Sequence, residues 1–205
     1  MRNVVLALLV SFVANTASAE DDAKVAALEK RVQKLEKRVA ELEAIVAPVV
    51  AKAQAGKMVE RQRTKARERM RKDSAVYTRE QLREIENLYQ VANRKWRSQE
   101  GKDSLKQLIK KFDKANRTGC AMLYLGQMSK GKEKQKYLQK AIDDFSDCYY
   151  GDGVQVGAYA RLHLAYYYKE KGEDKKAAKL FEEIASKYPD AIGHNGRPLS
   201  DSMNK

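Results

Sequence analysis

Two cysteines, Cys120 and Cys148, and two histidines, His163 and His194, are all that this 205-residue chain holds of either type. That inventory excludes a four-ligand structural zinc site at conventional spacing. No Cys-x-x-Cys occurs, which removes the usual dithiol redox motif. The chain also lacks a serine, histidine and acid set, a glycine-rich phosphate loop, and a carboxylate pair in a recognisable frame. Asp143-Asp144 and Glu182-Glu183 are neighbours on helical segments. Adjacent helical side chains point about 100° apart, so each pair reads as a solvated face. Catalysis therefore has no residue to rest on, and neither an enzyme nor a cofactor is expected. No run alternates apolar and polar residues with the period of a strand, so the expected class is all-α. Acidic residues are in deficit, 28 against 41 lysines and arginines, which leaves a net charge of +13. Such a balance speaks to association with anionic partners or surfaces and says nothing of fold.

The N-terminus reads as a leader. Arg2 supplies a positive start, Val4 to Ala14 is apolar except for Ser11, and Ala17-Ser18-Ala19 is a small-x-small cleavage site. The apolar run is too short to span a membrane comfortably, and no cysteine lies near the cleavage point to carry a lipid. The expectation is a signal peptide over residues 1–19, cleaved after Ala19, and an exported, periplasmic or secreted protein.

Next comes a heptad repeat. Val25, Leu28, Val32, Leu35, Val39, Leu42, Val46 and Val49 alternate steps of three and four without a miss, placing valine at every a position and leucine at every d. One helix carrying this stripe would expose a long apolar seam to water, so a second copy is the natural cover. The g positions are Lys24, Arg31 and Arg38, and the e positions are Glu29, Glu36 and Glu43. A parallel pair sets each g cation against an e carboxylate of the other chain, whereas an antiparallel pair sets like against like. Each exposed pair contributes only about 0.2–1 kcal/mol, but the consistent sign selects the parallel orientation. β-Branched residues at a with leucine at d favour two strands; no buried Asn fixes the number, and three is the alternative. The coiled-coil segment is expected over residues 20–50, ending or kinking near Ala47 because proline (Pro48) in a helix interior costs about 3 kcal/mol. Gly56 is the expected stop.

Residues 51–76 read as a basic linker. Arg61, Arg63, Lys65, Arg67, Arg69, Arg71 and Lys72 crowd into twelve positions. Met58, Val59, Ala66 and Met70 look too scattered to define an apolar face. Two readings stand: a solvated helical spacer, or a patch for an anionic envelope polymer. Nucleic acid is disfavoured, since no aromatic residues interleave the cations for base stacking.

From residue 77 to 192 the pattern is one of helical hairpins. Thr78-Arg79-Glu80-Gln81 fits a capping box. Gly101 is the expected stop of the first helix, with Asp103 or Ser104 capping the next. Gly131, Gly151-Asp152-Gly153 and Gly172-Glu173-Asp174 punctuate the rest. Helix pairs recurring at this period point to a repeat array. In the last pair Leu164-Ala165, Tyr168, Gly172, Ala177, Phe181 and Pro189 have the identities and spacing of a tetratricopeptide repeat. The middle pair (Leu125-Gly126, Tyr137 to Ala141) matches locally with a short turn, and the first only in helix length. Residues 193–205 show no period and are expected to be a disordered tail.

The order of signal peptide, short coiled coil, basic linker and tetratricopeptide array resembles the bacterial periplasmic cell-division coordinator (CpoB/YbgF) family, the coiled-coil partner of the Tol system. The resemblance implies an exported scaffold that oligomerises through its coil and binds envelope proteins through its repeats. This chain departs from it in a shorter array, a more basic linker and a Val/Leu coil of dimeric pattern, so the role class carries over and specific partners do not.

Within the hairpins, Tyr159, Leu162, Tyr166 and Lys169 fall on one helical face, which Tyr124 and Gln127 extend from the preceding pair. Two readings remain: a groove for a protein or peptide segment, or tyrosines packed against a neighbouring pair or the tail. Cys120 near the start of one helix and Cys148 near the end of its partner would meet in an antiparallel hairpin. With export, a disulfide is expected there, contributing roughly 3 kcal/mol; two buried thiols are the alternative. His163, between Leu162 and Leu164, is expected to be structural.

Overall fold

The computed structural model describes residues 19–203. The expected leader, apart from Ala19, lies outside the described residues. The described chain is all-helical, with seven α-helices, one short 3₁₀ helix and no strand. None of its helices is long and apolar enough to cross a membrane. The chain divides into two units between Lys52 and Ala53.

The first unit is the opening part of α1 (Ala19–Asp73). Pro48 lies inside α1, so the helix does not end at Ala47. Nor does Gly56 stop the helix; nothing lies within 4 Å of where its Cβ would be. Ala55 and Lys57, good helix formers, flank Gly56, and an α-helix tolerates one proline for the loss of a hydrogen bond and a local clash. The heptad residues stand in solvent on this chain, from 45% exposed at Val32 to 68% at Val49.

The second unit holds the rest of α1 and the hairpins: α2 (Arg79–Arg94) with α3 (Gln99–Lys111), α4 (Asn116–Met128) with α5 (Gly131–Asp144), and α6 (Val156–Glu170) with α7 (Asp174–Lys187). The capping box forms: Gln81 N–H donates to Thr78 Oγ1 at 3.3 Å, and Thr78 N–H to Gln81 Oε1 at 2.8 Å. The start of α3 differs from expectation. Ser98 is the N-cap, accepting from Gly101 N–H at 3.0 Å, and Gly101 is buried within the helix. Its missing side chain is required there, since a Cβ would sit 2.5 Å from the Lys95 carbonyl oxygen. From α2 onward each helix packs on the next in sequence. Leu105, Leu108, Leu123, Leu125, Leu138 and Leu164 form the dry centre. At Gly126 a Cβ would meet Leu138 Cδ2 at 2.7 Å, so α4 and α5 approach more closely than any larger residue permits.

Two further segments complete this unit, and both correct the sequence reading. The expected solvated linker packs instead. Met58, Val59, Gln62, Ala66, Arg69, Met70 and Asp73 share one covered face of α1, with Gln62 and Ala66 each 1% exposed. Their three- and four-residue spacing was hidden because polar side chains occupy half the stripe. The expected disordered tail is also ordered. Ile192 and Pro198 form an isolated bridge, residues Leu199–Ser202 form the 3₁₀ helix, and Leu199 is 2% exposed against Leu162 and Ile184.

The loop between α5 and α6 presses on α1. Gly153 has φ of +98°, and a Cβ there would lie 2.9 Å from Arg63 N. Gly153→Ala is expected to cost about 1–3 kcal/mol from backbone strain alone, read as a lower urea midpoint with unchanged slope. Gly172→Ala shares a positive φ of +71° but meets nothing within 4 Å, so the difference between the two variants measures the contact with α1. Equal losses would show that the contact contributes nothing.

Candidate functional site

Four sets of residues carried functional expectations. The heptad set, Val25, Leu28, Val32, Leu35, Val39, Leu42 and Val46, lies exposed on one uninterrupted helix.

The basic set divides. Arg61, Arg63, Lys65, Arg67, Arg71 and Lys72 are exposed. Arg61 lies 3.6 Å from Asp190, and Arg67 is 2.6 Å from Glu60. Arg69 is largely enclosed by its partners. Its guanidinium, 13% exposed, bonds Asp147 at 2.9 Å, Asp73 at 2.8 Å and the Lys114 carbonyl at 3.2 Å. Asp73 in turn accepts from Asn116 N–H at 2.9 Å and so caps the start of α4. The Asn116 side chain donates to Tyr149 O and accepts from Tyr149 N–H, at 2.7 and 2.8 Å. One hydrogen-bonded chain thus ties α1, α4 and the α5–α6 loop.

The two cysteines are buried and unbonded, which corrects the expected disulfide. Their sulfurs have separate partners. Cys120 donates to Tyr149 O at 3.3 Å, and Cys148 sits 3.8 Å from the Asp147 carboxylate with the Arg69 guanidinium at 3.5 Å. Burial raises both thiol pKa values, that of Cys120 to about 12. Both are protonated at neutral pH and poor nucleophiles.

The groove set is split between two environments. Leu162 is 5% exposed, and Tyr166 donates its hydroxyl to Ser202 O. Tyr166 also packs edge-on to Phe181 at 5.8 Å, with the Lys169 ammonium 6.0 Å from its ring centre. The C-terminal segment covers this part of α6, so the packing alternative holds for Leu162 and Tyr166. Gln127 Nε2 lies 2.9 Å from His163 Nε2, so the amide donates to a neutral ring. Burial, with the charges of Lys134 and His194 adding, lowers the His163 pKa to about 4.

Tyr124 and Tyr159 lie at a second place, which the sequence reading did not assemble. A cleft of about 320 Å³ opens between α2, α4, the α5–α6 loop and the C-terminal segment. Its aromatic walls are Tyr89, Tyr124 and Tyr150, and its polar lining includes Gln90, Asn93, Arg117, Asp152 and His194. Trp96 packs against Tyr124 with ring centres 4.5 Å apart and remains 41% exposed. Arg117 lies 4.3 Å over the Tyr89 ring and makes a two-pronged bond to Glu86 at 2.9 and 3.2 Å. His194 Nδ1 is 2.7 Å from Asp152, and its ring meets Tyr150 and Tyr159 edge to face at 4.9 and 5.1 Å. Burial alone would raise the Asp152 carboxyl pKa, but the His194 contact and the Val154 N–H override it and hold it below the ordinary value. Burial raises the hydroxyl pKa values of Tyr89, Tyr124, Tyr150 and Tyr159, so all four are neutral hydrogen-bonding phenols. Among the described residues no group of three His, Cys, Asp or Glu is placed to hold a metal ion. No protein-family model matches the chain, and no curated protein or solved structure matches it either.

Proposed function

We propose that this protein is an exported, non-enzymatic adaptor that self-associates through α1 and presents helical-hairpin heads to protein segments of the cell envelope. The observation that carries this reading is the unbroken valine–leucine seam, exposed over eight successive positions of one helix. Apolar surface on this scale is stable in water only when covered, and the e and g charges favour a parallel copy as the cover. The three hairpins are read as a short tetratricopeptide-like array. The close Gly126–Leu138 approach, the buried Ala165 and Ala177 and the left-handed Gly172 turn support that. The same order of parts is the ground for relating the chain to the periplasmic cell-division coordinators. Joining heads raises avidity through local concentration without improving any one contact.

Sedimentation equilibrium tests this. The mature chain is expected at two or three times its monomer mass, falling to one for Leu35→Lys. A Val25→Cys variant is expected to crosslink to itself on mild oxidation, because a positions meet a positions in a parallel coil. A single-chain mass at micromolar concentration would overturn the reading.

Binding of an anionic envelope polymer is the second reading. The exposed Arg63, Lys65, Arg71 and Lys72 favour it; the enclosure of Arg69 removes one cation from it. That mode requires affinity to fall steeply with salt, whereas an adaptor contact does not.

A further inference from the structure

We propose that the end of the head formed by the three intra-hairpin turns is a docking surface for an anionic lipid bilayer. The turns between α2 and α3, α4 and α5, and α6 and α7 share one end because the helices of each hairpin run antiparallel. Side chains join them there. Trp96 packs on Tyr124 with ring centres 4.5 Å apart, Gln135 Nε2 donates to the Tyr168 hydroxyl at 3.1 Å, and the Lys134 ammonium lies 6.0 Å from the Tyr167 ring centre. The sequence loads this end with cations. Residues 94–100 hold Arg94, Lys95 and Arg97 against Glu100, and residues 130–136 hold four lysines against Glu133. Residues 169–176 hold four lysines against three acids. Lys95 is matched by Glu100 at 2.5 Å and Lys176 by Glu173. Beyond those pairs Arg94, Arg97, Lys130, Lys132 and Lys136 stand exposed.

The other end of the head differs. Residues 145–155, between α5 and α6, hold two aspartates and no cation. There α1 supplies the counter-charge, Arg69 to Asp147 at 2.9 Å and Arg61 to Asp190 at 3.6 Å. The excess of positive charge is therefore gathered at the end away from these α1 contacts. Its chemistry selects the partner. Lysine dominates, a strongly hydrated point charge on a flexible stem, and lysine is depleted where two proteins bury each other. A nucleic-acid strand requires successive stacking platforms, whereas this end presents one indole, with the Arg97 guanidinium 5.5 Å from its ring centre. A bilayer surface requires neither. Its anionic headgroups attract clustered lysines as a diffuse field, and tryptophan settles at headgroup level. Trp96 is 41% exposed and stands among these cations. No described helix is long and apolar enough to cross a membrane, so the contact proposed is peripheral.

Trp96 is the only tryptophan in the chain, so its fluorescence reports on this end directly. The test mixes the full mature protein with vesicles of equal parts phosphatidylglycerol and phosphatidylcholine, and with phosphatidylcholine alone. Co-sedimentation gives the affinity. The expected result is binding to the anionic vesicles only, a blue shift of Trp96 emission, and release at high salt. Each lysine near such a surface contributes about fivefold in affinity, so Lys130→Gln with Lys132→Gln is expected to weaken binding by about tenfold or more. Trp96→Ala, read by co-sedimentation, is expected to weaken it as well. Lys110→Gln with Lys114→Gln removes the same charge from exposed positions at the other end. Screening over the length of α3 is expected to hold that change within about twofold. Absence of anionic-vesicle binding would overturn the proposal. So would equal weakening by the two lysine pairs, equal binding to phosphatidylcholine, or an unmoved Trp96 emission in the bound protein. Binding to sodium polyphosphate or polyglutamate in place of vesicles would assign the charge to a polymer or an acidic protein and overturn it too. These outcomes are read at the turns and not at the heptad seam, so this surface and the adaptor reading stand or fall separately.

Discussion

Asp73→Ala is expected to lower the unfolding free energy by about 3 kcal/mol, the lower end of what breaking a buried ion pair costs. The carboxylate is 9% exposed and serves two partners at once, Arg69 and the first N–H of α4. Its removal leaves a guanidinium largely shut off from water and a helix start without its acceptor. Arg69 keeps Asp147 and the Lys114 carbonyl, which is why the upper end of the range is not reached. Asp147→Ala removes a carboxylate that is 67% exposed and is expected to cost less than about 1 kcal/mol. Asp73→Asn, which keeps an acceptor but not the charge, should fall between. Urea unfolding followed by circular dichroism orders the three. Equal costs for Asp73→Ala and Asp147→Ala would show that burial of the pair is not what gives it weight.

Acid should destabilise the second unit earlier than its carboxylates alone would. The folded pKa of His163 is lowered to about 4 from an ordinary 6.5. Above pH 6.5 both folded and unfolded chains hold a neutral ring, and the contribution is complete. As pH falls from about 6.5 to about 4, the unfolded chain takes up a proton that the folded chain refuses, and stability drops. The full difference corresponds to about 3 kcal/mol, reduced to about 2–3 by the ring's partial exposure. Protonation at Nε2 would also set two donors face to face across the 2.9 Å contact with Gln127. His163→Gln is expected to flatten the stability profile between pH 6.5 and pH 4.5 while leaving the steeper fall below it. Parallel profiles for the two proteins across that window would sink this account.

Much of the architecture was legible in the residues. The helical class, the three hairpins and the Thr78 capping box all rest on local signals, in which spacing and capping chemistry lie within a few positions of each other. What escaped was long-range. Arg69 and Asp73 sit four apart and were open to reading as an ion pair, but nothing nearby says that Asp147 and Asn116 close around them. Pro48 and Gly56 do not end α1, because intrinsic propensity is a weak prior that context overrides. In the C-terminal segment, Asn195-Gly196 between Ile192 and Leu199 is a turn signal flanked by apolar residues. It carries no helical or strand period, and His194 lies beside it. The cleft was invisible for the same reason. Tyr89, Tyr124 and Tyr150 come from three separate segments, and only packing brings them to one place.

The hydrogen bond from Gln62 to the Asp190 carbonyl, at 2.8 Å, joins positions 128 residues apart, and the turn at Gly196 reaches Val59. For a chain that emerges N-terminus first from whatever delivers it, this sets an order: the residues that cover the later face of α1 follow the face itself by more than half the chain. The hairpins can pair in order as they appear, since their contacts are local. The head closes only when its last residues arrive, so the half-apolar, half-polar stripe of α1 spends that interval uncovered and in need of shelter.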